Sequence, residues 1–420
     1  MKNDIVNIPK GYKNSPLGII PKEWEVRRLI DVCYNQGDYG VNAPAVPYEK
    51  DLPTYLRITD INDEGKFIRT NRVSVNITNS VKYSLKEGDI VFARTGATVG
   101  KTYLYNTADG DLVFAGFLIR FTPNTEKIFP YYIRIYADTT TYWNWVRIIS
   151  QRSGQPGINA AEYCSLKIPV PSLTEQQKII EVLSTWDKAI EKQSQLIEKL
   201  ELRKKGLMQQ LLTGKKRLSG FSGEWKNIKL GDISKRITRK NKKEECSNVV
   251  TISAQKGFVR QTDFFNKKVA SEKIENYYLV NRNEFCYNKS YSNGFPMGTI
   301  KRLKEFDQAV VTTLYICFAI QEEIVSIDFI EQYFSLGLLN RGLMKVANEG
   351  GRAHGLLNVT PNDFFNIKLI LPPYYEQMAI SSILLNAQNE VVLAKRKLES
   401  LQEQKKGLMQ VLLIGKKRLL

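Results

Sequence analysis

Hydrophobic residues recur at alternating spacings of three and four in two stretches of this 420-residue chain, one near its middle and one at its end. This spacing places the apolar side chains on one face of an α-helix, and over such a length it is typical of a coiled-coil seam. A helix of about forty residues would span about 60 Å. The first seam comprises Leu183, Trp186, Ile190, Gln193, Ile197, Leu200, Lys204, Leu207 and Leu211. The second seam comprises Leu384, Ala387, Val391, Ala394, Leu398, Leu401, Lys405, Leu408 and Leu412.

The ends of these two helices are less well defined by the pattern. Thr174, followed by Glu175 and Gln176, has the composition of a helix start. Gly206 and Gly407 each weaken a helix by about 1 kcal/mol relative to Ala, so either helix could kink or stop there. The alternative to a coiled coil is an amphipathic helix that packs on its own domain, and the identical register of the two stretches argues against it.

A β-rich part precedes each predicted helix, over about residues 22–170 and 223–371. Its segments carry β-branched and aromatic residues between Gly and Asn turns. Examples are Asp89–Arg94, Leu112–Phe121, Val249–Ser253 and Val310–Ile320. Near the end of each β-rich part we expect a helix, at about 129–148 and 327–346.

An internal repeat relates the two halves of the chain. Residues 204–218 and 405–419 are identical at thirteen of fifteen positions, with an offset of 201. The chain is therefore two copies of a unit of roughly 200 residues. The same offset pairs Glu23-Trp24 with Glu224-Trp225, Leu29 with Leu230, Asp31 with Asp232, Pro171 with Pro372, and Glu175-Gln176 with Glu376-Gln377.

The repeat predicts an α+β protein with the order domain, helix, domain, helix. If the first helix leads from one domain to the other, the second must run back, so the seams pair antiparallel in a pseudo-twofold molecule. The C-terminus would then return beside the first domain. The predicted parts are a first domain at 1–170, a first spacer helix at 171–218, a second domain at 219–371 and a second spacer helix at 372–420.

The net charge of the chain indicates which class of molecule it binds. The chain has 61 Lys and Arg against 43 Asp and Glu, a formal net charge of +18. Such a surplus favours a polyanion, of which nucleic acid is the commonest, over a basic surface with no partner. Basic clusters at 215–217 and 416–418 are either solvated helix ends or contacts to phosphate or another subunit.

Other chemistry finds little support in the sequence. Five scattered cysteines without a C-x-x-C pair and a single histidine, His354, disfavour disulfide frameworks and zinc sites, so we expect no metal. No apolar run reaches membrane-spanning length and no signal region opens the chain, so we expect a cytoplasmic protein without membrane contact.

Catalytic motifs are incomplete wherever they are suggested, so we expect no catalytic residues. Residues 96–102 resemble a phosphate loop but have three residues between the glycines instead of four. Residues 371–374 resemble an amino-methyltransferase signature, but Leu371 stands where Asn or Asp must bind the amino group. Residues 63–66 fit a hairpin turn better than an acidic nuclease cluster. His354 has no catalytic partner at an informative spacing.

Polar and basic residues in the Gly-punctuated loops of the β-rich parts are the candidates for DNA contact. Arg and Lys read guanine edges, Asn and Gln read adenine edges, and all of them also bind phosphates. Two different readers on a spacer imply an asymmetric two-part site, with half-sites about 34 Å apart if they face one side of the duplex. The candidates are Arg57, Arg94, Thr95, Lys101, Arg152 and Gln155 in the first copy, and Lys256, Arg260, Asn288, Lys289, Tyr291 and Arg352 in the second.

At the level of motifs, nearly the whole chain resembles the specificity subunit of type I restriction-modification enzymes. The resemblance is carried by S-P-L-G-x-I-P-x-x-W at Ser15–Trp24, by G-D-I-V-F-A-R-T-G-A-T-V-G at Gly88–Gly100, by Pro169-Val-Pro171 with Glu175-Gln176, and by the K-x-G-L-x-Q-x-L-L ending of each helix. The second copy lacks the glycine turn and carries Asn283–Lys289 instead.

The resemblance implies two target recognition domains that each read half of a bipartite DNA site. It also implies spacer helices that dock two methyltransferase subunits, through Leu183, Trp186, Ile190, Ile197, Leu200, Leu384, Val391, Leu398 and Leu401, together with restriction and translocase subunits. S-adenosylmethionine, ATP and magnesium would belong to those partners, and this chain would hold no cofactor. A stand-alone methyltransferase or nuclease, and a coiled-coil scaffold with incidental charge, are the alternatives.

Overall fold

The computed structural model describes residues 8–265, 274–347 and 357–419. The chain divides into two compact units. The first unit combines Met1–Ser194 with Arg396–Leu420, and the second unit is Gln195–Lys395. The described helices are α1 (Pro130–Tyr136), α2 (Thr140–Ile149), α3 (Ala160–Cys164), α4 (Leu173–Leu211), α5 (Gln261–Phe265), α6 (Ile327–Ser335), α7 (Asn340–Val346), α8 (Pro361–Phe365) and α9 (Tyr374–Leu413).

The first unit is built around an antiparallel four-stranded sheet in the order β4-β11-β8-β9. A second four-stranded sheet has the order β10-β6-β7-β5, and β1-β2 and β12-β3 form two-stranded pairs. The strands are β1 (Tyr12–Ser15), β2 (Gly18–Pro21), β3 (Glu25–Arg28), β4 (Asp38–Tyr39), β5 (Val46–Pro47), β6 (Thr54–Leu56), β7 (Val73–Ser74), β8 (Ile90–Ala93), β9 (Thr102–Leu104), β10 (Leu112–Phe114), β11 (Leu118–Phe121) and β12 (Lys167–Val170).

The second unit repeats the main sheet in the order β14-β21-β18-β19. Its other pairs are β15-β16, β17-β20 and β13-β22. The strands are β13 (Lys226–Lys229), β14 (Ser234–Ile237), β15 (Val250–Ser253), β16 (Gly257–Arg260), β17 (Tyr278–Asn281), β18 (Phe285–Asn288), β19 (Thr299–Arg302), β20 (Gln308–Val311), β21 (Ile316–Ile320) and β22 (Lys368–Leu371). The two-stranded pair that joins the start of each copy to the strand before its long helix is also repeated, as β12-β3 and β13-β22.

Two of the expected β segments are each divided into two strands. Leu112–Phe121 divides into β10 and β11 because the amide of Leu118 donates to the carbonyl of Ala115, which closes a turn. Val310–Ile320 divides in the same way, with the amide of Tyr315 donating to the carbonyl of Thr312. Both segments form strands as predicted, although β-forming composition does not reveal where the chain turns within them.

The helix expected at 129–148 and the helix expected at 327–346 are likewise divided into two. In the first unit the hydroxyl of Thr139 accepts from the amide of Tyr142 and thereby caps the start of α2. In the second unit Gly337 has a φ of +76°, the left-handed conformation that ends a helix. Local capping therefore breaks both stretches, although their apolar periodicity continues.

The long helices α4 and α9 reach the ends of their predicted seams, and α4 begins one residue before Thr174. The hydroxyl of Ser172 accepts from the amide of Glu175 at 3.3 Å, so Ser172 caps α4 and the helix begins before Thr174. Both helices continue through their glycines, α4 past Gly206 to Leu211 and α9 past Gly407 to Leu413. The packing of the last helical turns outweighs the cost of about 1 kcal/mol that glycine imposes.

Replacing Gly206 or Gly407 with Ala is expected to stabilise the protein by about 1 kcal/mol each. Both glycines lie within a helix, and a Cβ added at either would meet nothing within 4 Å. The free energy of unfolding from denaturant titration measures the effect. Gly214→Ala is the matched control in the same repeat, and should destabilise because Gly214 has a φ of +69°. Equal effects of the three substitutions would contradict the helical assignment.

The end of each long helix fills the core of the unit that contains the start of the other. In the first unit, Met409, Leu412 and Leu413 from α9 are buried in the same cluster as Trp24 and Leu183. In the second unit, Met208 and Leu211 from α4 and the following Leu212 are buried in the same cluster as Leu384. The nearly identical segments 204–218 and 405–419 therefore occupy equivalent positions in the two cores, which accounts for the strength of the repeat there.

A buried ion pair fixes each of these ends. Arg418 donates from Nε to Oε1 of Glu175 at 2.7 Å in the first unit, and Arg217 donates in the same way to Glu376 at 2.6 Å in the second. Both glutamates are buried, and a buried carboxylate is stable only when it is paired. Arg217 and Arg418 therefore hold the segment after each long helix against the start of the other long helix. The sequence had suggested only solvated helix ends or contacts to phosphate or another subunit for these two basic clusters.

The glutamine next to each of these glutamates ties the helix start to its own unit. The side chain of Gln176 donates to the carbonyl of Pro171 at 3.0 Å and accepts from the amide of Phe129 at 3.0 Å. Gln377 donates to the carbonyl of Pro372 at 2.9 Å and accepts from the amide of Ser326 at 3.0 Å. The repeated Glu-Gln dipeptide thus joins three segments in each unit.

The seams pair as predicted within each unit. In the second unit Lys395 binds Glu201 at 2.6 Å, and Arg203 binds Glu390. Because the partner number on α9 falls as the number on α4 rises, the two segments run antiparallel. In the first unit Lys405 binds Asp187 at 2.6 Å. All eighteen seam side chains named above are buried or half-buried.

Candidate nucleic-acid interface

The residues that follow the central strand β8 form the first candidate surface. A loop before α3 lies against them: the amide of Ile158 donates to the carbonyl of Arg94 at 2.8 Å, and the amide of Gly96 donates to the carbonyl of Pro156 at 3.0 Å. Thr95 forms a bridge with Gly157. Three of the predicted DNA contacts, Arg94, Thr95 and Gln155, are therefore brought together at the end of one strand.

Arg94 differs from Arg57 and Arg152 in its surroundings. Its guanidinium carbon lies 4.9 Å from the centroid of the Tyr39 ring. Its Nε is buried and has no hydrogen-bond partner within the described residues. The Tyr39 ring, itself partly exposed, contacts the guanidinium through a cation–π interaction, and no carboxylate within the described part of the chain pairs with it. Such a cation is pre-organised to bind an acceptor from outside the chain.

The other predicted cations of the first unit are paired with carboxylates. Arg57 binds Asp60 at 2.8 Å, and this hydrogen bond raises the pKa of Arg57. Lys101 binds Asp63 at 2.5 Å and lowers the pKa of that carboxyl. Arg152 binds Glu162 at 2.5 Å. Local pairing uses much of their hydrogen-bonding capacity, and contact between these three residues and DNA stays a prediction.

Lys289 occupies the position in the second unit that Arg94 has in the first. It follows the central strand β18, and its carbonyl accepts from the amide of Leu357 at 3.1 Å, as that of Arg94 accepts from Ile158. Burial lowers the pKa of Lys289. Asn288 uses its side chain internally, donating to the carbonyl of Ile252 at 3.2 Å and accepting from the amide of Ser290 at 3.0 Å. Asn288 therefore shapes the loop.

A polar pocket of about 510 Å³ lies beside this strand end in the second unit. Its walls carry hydroxyl and amide groups, and two tyrosines are the only ionisable side chains among the described residues that line it. These lining residues are Thr251, Ile252, Ser253, Ala254, Gln255, Asn288, Ser290, Tyr291, Ser292, Asn293, Thr299 and Tyr315. Neutral donors and acceptors of this kind suit the edges of nucleobases better than phosphates.

Two further candidates of the second unit flank this region on the β15-β16 hairpin. Lys256 is exposed in the turn, and Arg260 is exposed at the end of β16, with its guanidinium carbon 5.6 Å from the centroid of the Phe306 ring. Sequence reasoning missed Gln255 and Asn293, which are exposed at the pocket, and Tyr39 under Arg94. Nothing in the local pattern separates these residues from ordinary turn residues.

The helix residues predicted to contact other subunits are used inside this chain. Leu183, Ile197, Leu384 and Val391 are buried. The other five are half-buried: Trp186, Ile190, Leu200, Leu398 and Leu401. Their role toward a second protein stays a prediction, and a docking surface would have to use the outward faces of the helices as well.

Two residues singled out in the sequence, Arg352 and His354, lie outside the described residues. Across the described ranges, no group of three or more His, Cys, Asp or Glu is placed to bind a metal ion, and no helix is long and apolar enough to cross a membrane. All five cysteines are free, although Cys286 and Cys317 face each other across β18 and β21 with their sulfurs 3.3 Å apart.

Comparison with known proteins connects this architecture to a family. Residues 21–202 match the model of the type I restriction modification DNA specificity domain. The chain is 28% identical over 431 aligned positions to a protein of Methanocaldococcus jannaschii named "Putative type I restriction enzyme MjaX specificity subunit", with 97% of each chain covered.

Two solved structures share the fold. One chain comes from a study of complex assembly and conformational transition of the type I R-M system, at 16% identity and a TM-score of 0.55, with 95% of this chain and 99% of that chain covered. The other is the type I restriction-modification S subunit from M. genitalium, at 15% identity and a TM-score of 0.52, with 93% and 96% covered. The family model and the full-length relative make this chain similar to type I restriction-modification specificity subunits, and the two structures show that it shares the fold of those chains.

Proposed function

We propose that this chain selects the DNA sequence for a type I restriction-modification complex, with each unit reading one half of a bipartite, asymmetric site, and that it performs no catalysis itself. The observation that carries the proposal is a contrast at equivalent strand ends. The first unit offers an unpaired guanidinium, Arg94, and the second offers a neutral polar pocket with the exposed amides Gln255 and Asn293. Equivalent positions with different chemistry suit two different half-sites.

The chemistry of each surface suggests the kind of base that it reads. A guanidinium held by a ring binds O6 and N7 of guanine in a bidentate manner, so Arg94 suits a half-site with a guanine. Side-chain amides bind N6 and N7 of adenine in the same manner, so Gln255 and Asn293 suit a half-site with an adenine. The net charge of +18 supplies the attraction to the phosphates that sequence reading requires.

The partners belong to the same proposal. The relatives are named as subunits of type I restriction enzymes, which supports a complex with two methyltransferase subunits and with restriction and translocase subunits on double-stranded DNA in the cytoplasm. S-adenosylmethionine, ATP and magnesium would be bound by those subunits. Binding of S-adenosylmethionine by the purified chain alone would contradict a non-catalytic role.

Selection of bound sequences from a random duplex pool tests the proposal. The protein is used in complex with the methyltransferase subunits of its host. We expect two unlike short motifs at a fixed gap, one with a guanine and one with an adenine. A single motif would mean that only one unit reads DNA, and no motif from well-folded complex would mean that the repeat serves a scaffold.

Changing the length of a long helix is expected to change the gap between the half-sites. Four residues inserted into α4 add about one turn, or about 6 Å, which corresponds to about two base pairs. The same selection measures the gap, and the bases within each motif should stay the same. Four residues inserted after Gly110, in an exposed turn of the first unit, are the control and should leave the gap unchanged. A change of bases with α4 insertion would contradict the spacer role.

A further inference from the structure

Each unit exposes one large apolar side chain at the tip of the same turn. Phe117 is 55% exposed in the turn between β10 and β11, and Leu314 is 54% exposed in the turn between β20 and β21. The turns are equivalent because each leads into the strand that pairs with the central strand of its sheet, β8 or β18. Each is also closed by a hydrogen bond from the residue after the tip, at 2.8 Å for Leu118 and 3.3 Å for Tyr315.

Both tips adjoin the candidate DNA surfaces. The carbonyl of Phe117 accepts from the amide of Arg94 at 2.9 Å, so the backbones of Phe117 and Arg94 lie side by side. Leu314 directly precedes Tyr315, which lines the polar pocket of the second unit. An apolar residue thus stands next to the polar groups that read bases in each unit.

Folding alone does not explain why Phe117 and Leu314 are large and apolar at these exposed positions. Turns favour Gly, Asn, Asp, Ser and Pro because these residues satisfy the turn geometry, and a large apolar side chain exposed to water gains nothing there. The two copies carry different residues, Phe and Leu, that share only bulk and apolarity. What both can do is enter an apolar space that opens when a partner binds.

We infer that Phe117 and Leu314 each insert between neighbouring base pairs at the two half-sites, an inference that rests on the proposed function. The space between stacked bases is the apolar part of a DNA duplex, and apolar side chains that enter it unstack one base step and kink the helix. The neighbouring polar groups then bind base edges beside the opened step. The insertion would tie sequence reading to a bend in the DNA at each half-site.

The test uses the complex with methyltransferase subunits on the duplex recovered by selection. Phe117→Ala should weaken specific binding on the order of 10-fold, because stacking on an aromatic ring is lost. The dependence of affinity on salt should stay the same, because no phosphate contact is removed. Phe117→Trp should restore affinity. Leu314→Ala should act at the second half-site, and Val81→Ala, at a side chain that is 79% exposed elsewhere in the first unit, should have no effect.

Fluorescence of 2-aminopurine placed at successive steps of each half-site locates the insertion. We expect one step of the first half-site to brighten on binding of the natural protein and not of Phe117→Ala. If the natural protein selects two half-sites but no step brightens and Phe117→Ala binds equally well, insertion is wrong while sequence reading stands. If no site is selected, both ideas fail. Loss of methyltransferase assembly by Phe117→Ala without DNA would make the tip a protein contact and overturn the inference.

Discussion

Replacing Leu412 with Ala is expected to destabilise the first unit by about 2–5 kcal/mol, although Leu412 lies near the far end of the chain. The side chain of Leu412 is buried in the cluster that contains Trp24 and Leu183. Truncation removes apolar contacts and leaves a cavity among the buried side chains of this cluster. Hydrogen exchange measures the result as lost protection in the first unit, with the second unit unchanged.

Leu211→Ala is the matched control, since Leu211 is the repeat partner of Leu412 at the offset of 201. Leu211 is buried in the cluster of the second unit that contains Leu384. We expect Leu211→Ala to lower protection in the second unit and to spare the first. If each substitution instead weakened the β-rich part that precedes its own helix, the exchange of helix ends between the copies would be refuted.

Replacing Arg94 with Ala is expected to weaken binding to the selected site roughly 5- to 150-fold, the amount by which one bidentate contact to a base discriminates. The loss should appear as relaxed preference at one position of one half-site, with the other half-site read as before. Arg94→Lys should recover little, because an ammonium cannot form the planar pair of hydrogen bonds. Competition binding against duplexes with single-base changes measures both effects.

Arg69→Ala is the control for charge in the same unit. Arg69 binds Asp109 at 2.9 Å and is largely exposed, so its removal should change affinity little. A different outcome would contradict a base contact by Arg94. It is an equal loss of affinity for all duplexes, together with a decrease of about one in the slope of log affinity against log salt concentration. Arg94 would then bind a phosphate instead of a base.

The long helices were predictable because their apolar periodicity is sustained over many turns and repeated in both copies. The interruptions within the β-rich parts were not, because they depend on single capping interactions such as that of Thr139 and on the left-handed conformation of Gly337. Periodicity describes the face that a segment buries. It does not describe where a hydrogen bond closes a turn.

The candidate site was predictable as a region but less so as residues. Arg57 has a carboxylate three residues later, Asp60, and this spacing alone could have indicated a local pair. The partners of Lys101 and Arg152 are Asp63 and Glu162, which are 38 and 10 residues away in the sequence and meet them only through the fold. Whether an arginine is paired or available depends on such tertiary contacts, so charge and residue type could not separate Arg94 from its neighbours.

The exchange of helix ends also sets an order for completing the units as the chain is made. Domains usually fold from the N-terminus onward during synthesis. Here the first unit needs residues 396–420, whereas the second unit is contiguous from Gln195 to Lys395. The second unit can therefore close first, and the core around Trp24 and Leu183 stays open until the segment that contains Leu412 has been translated. If synthesis stopped before Leu412, the first unit would lack part of its core although most of its residues had been translated before those of the second unit.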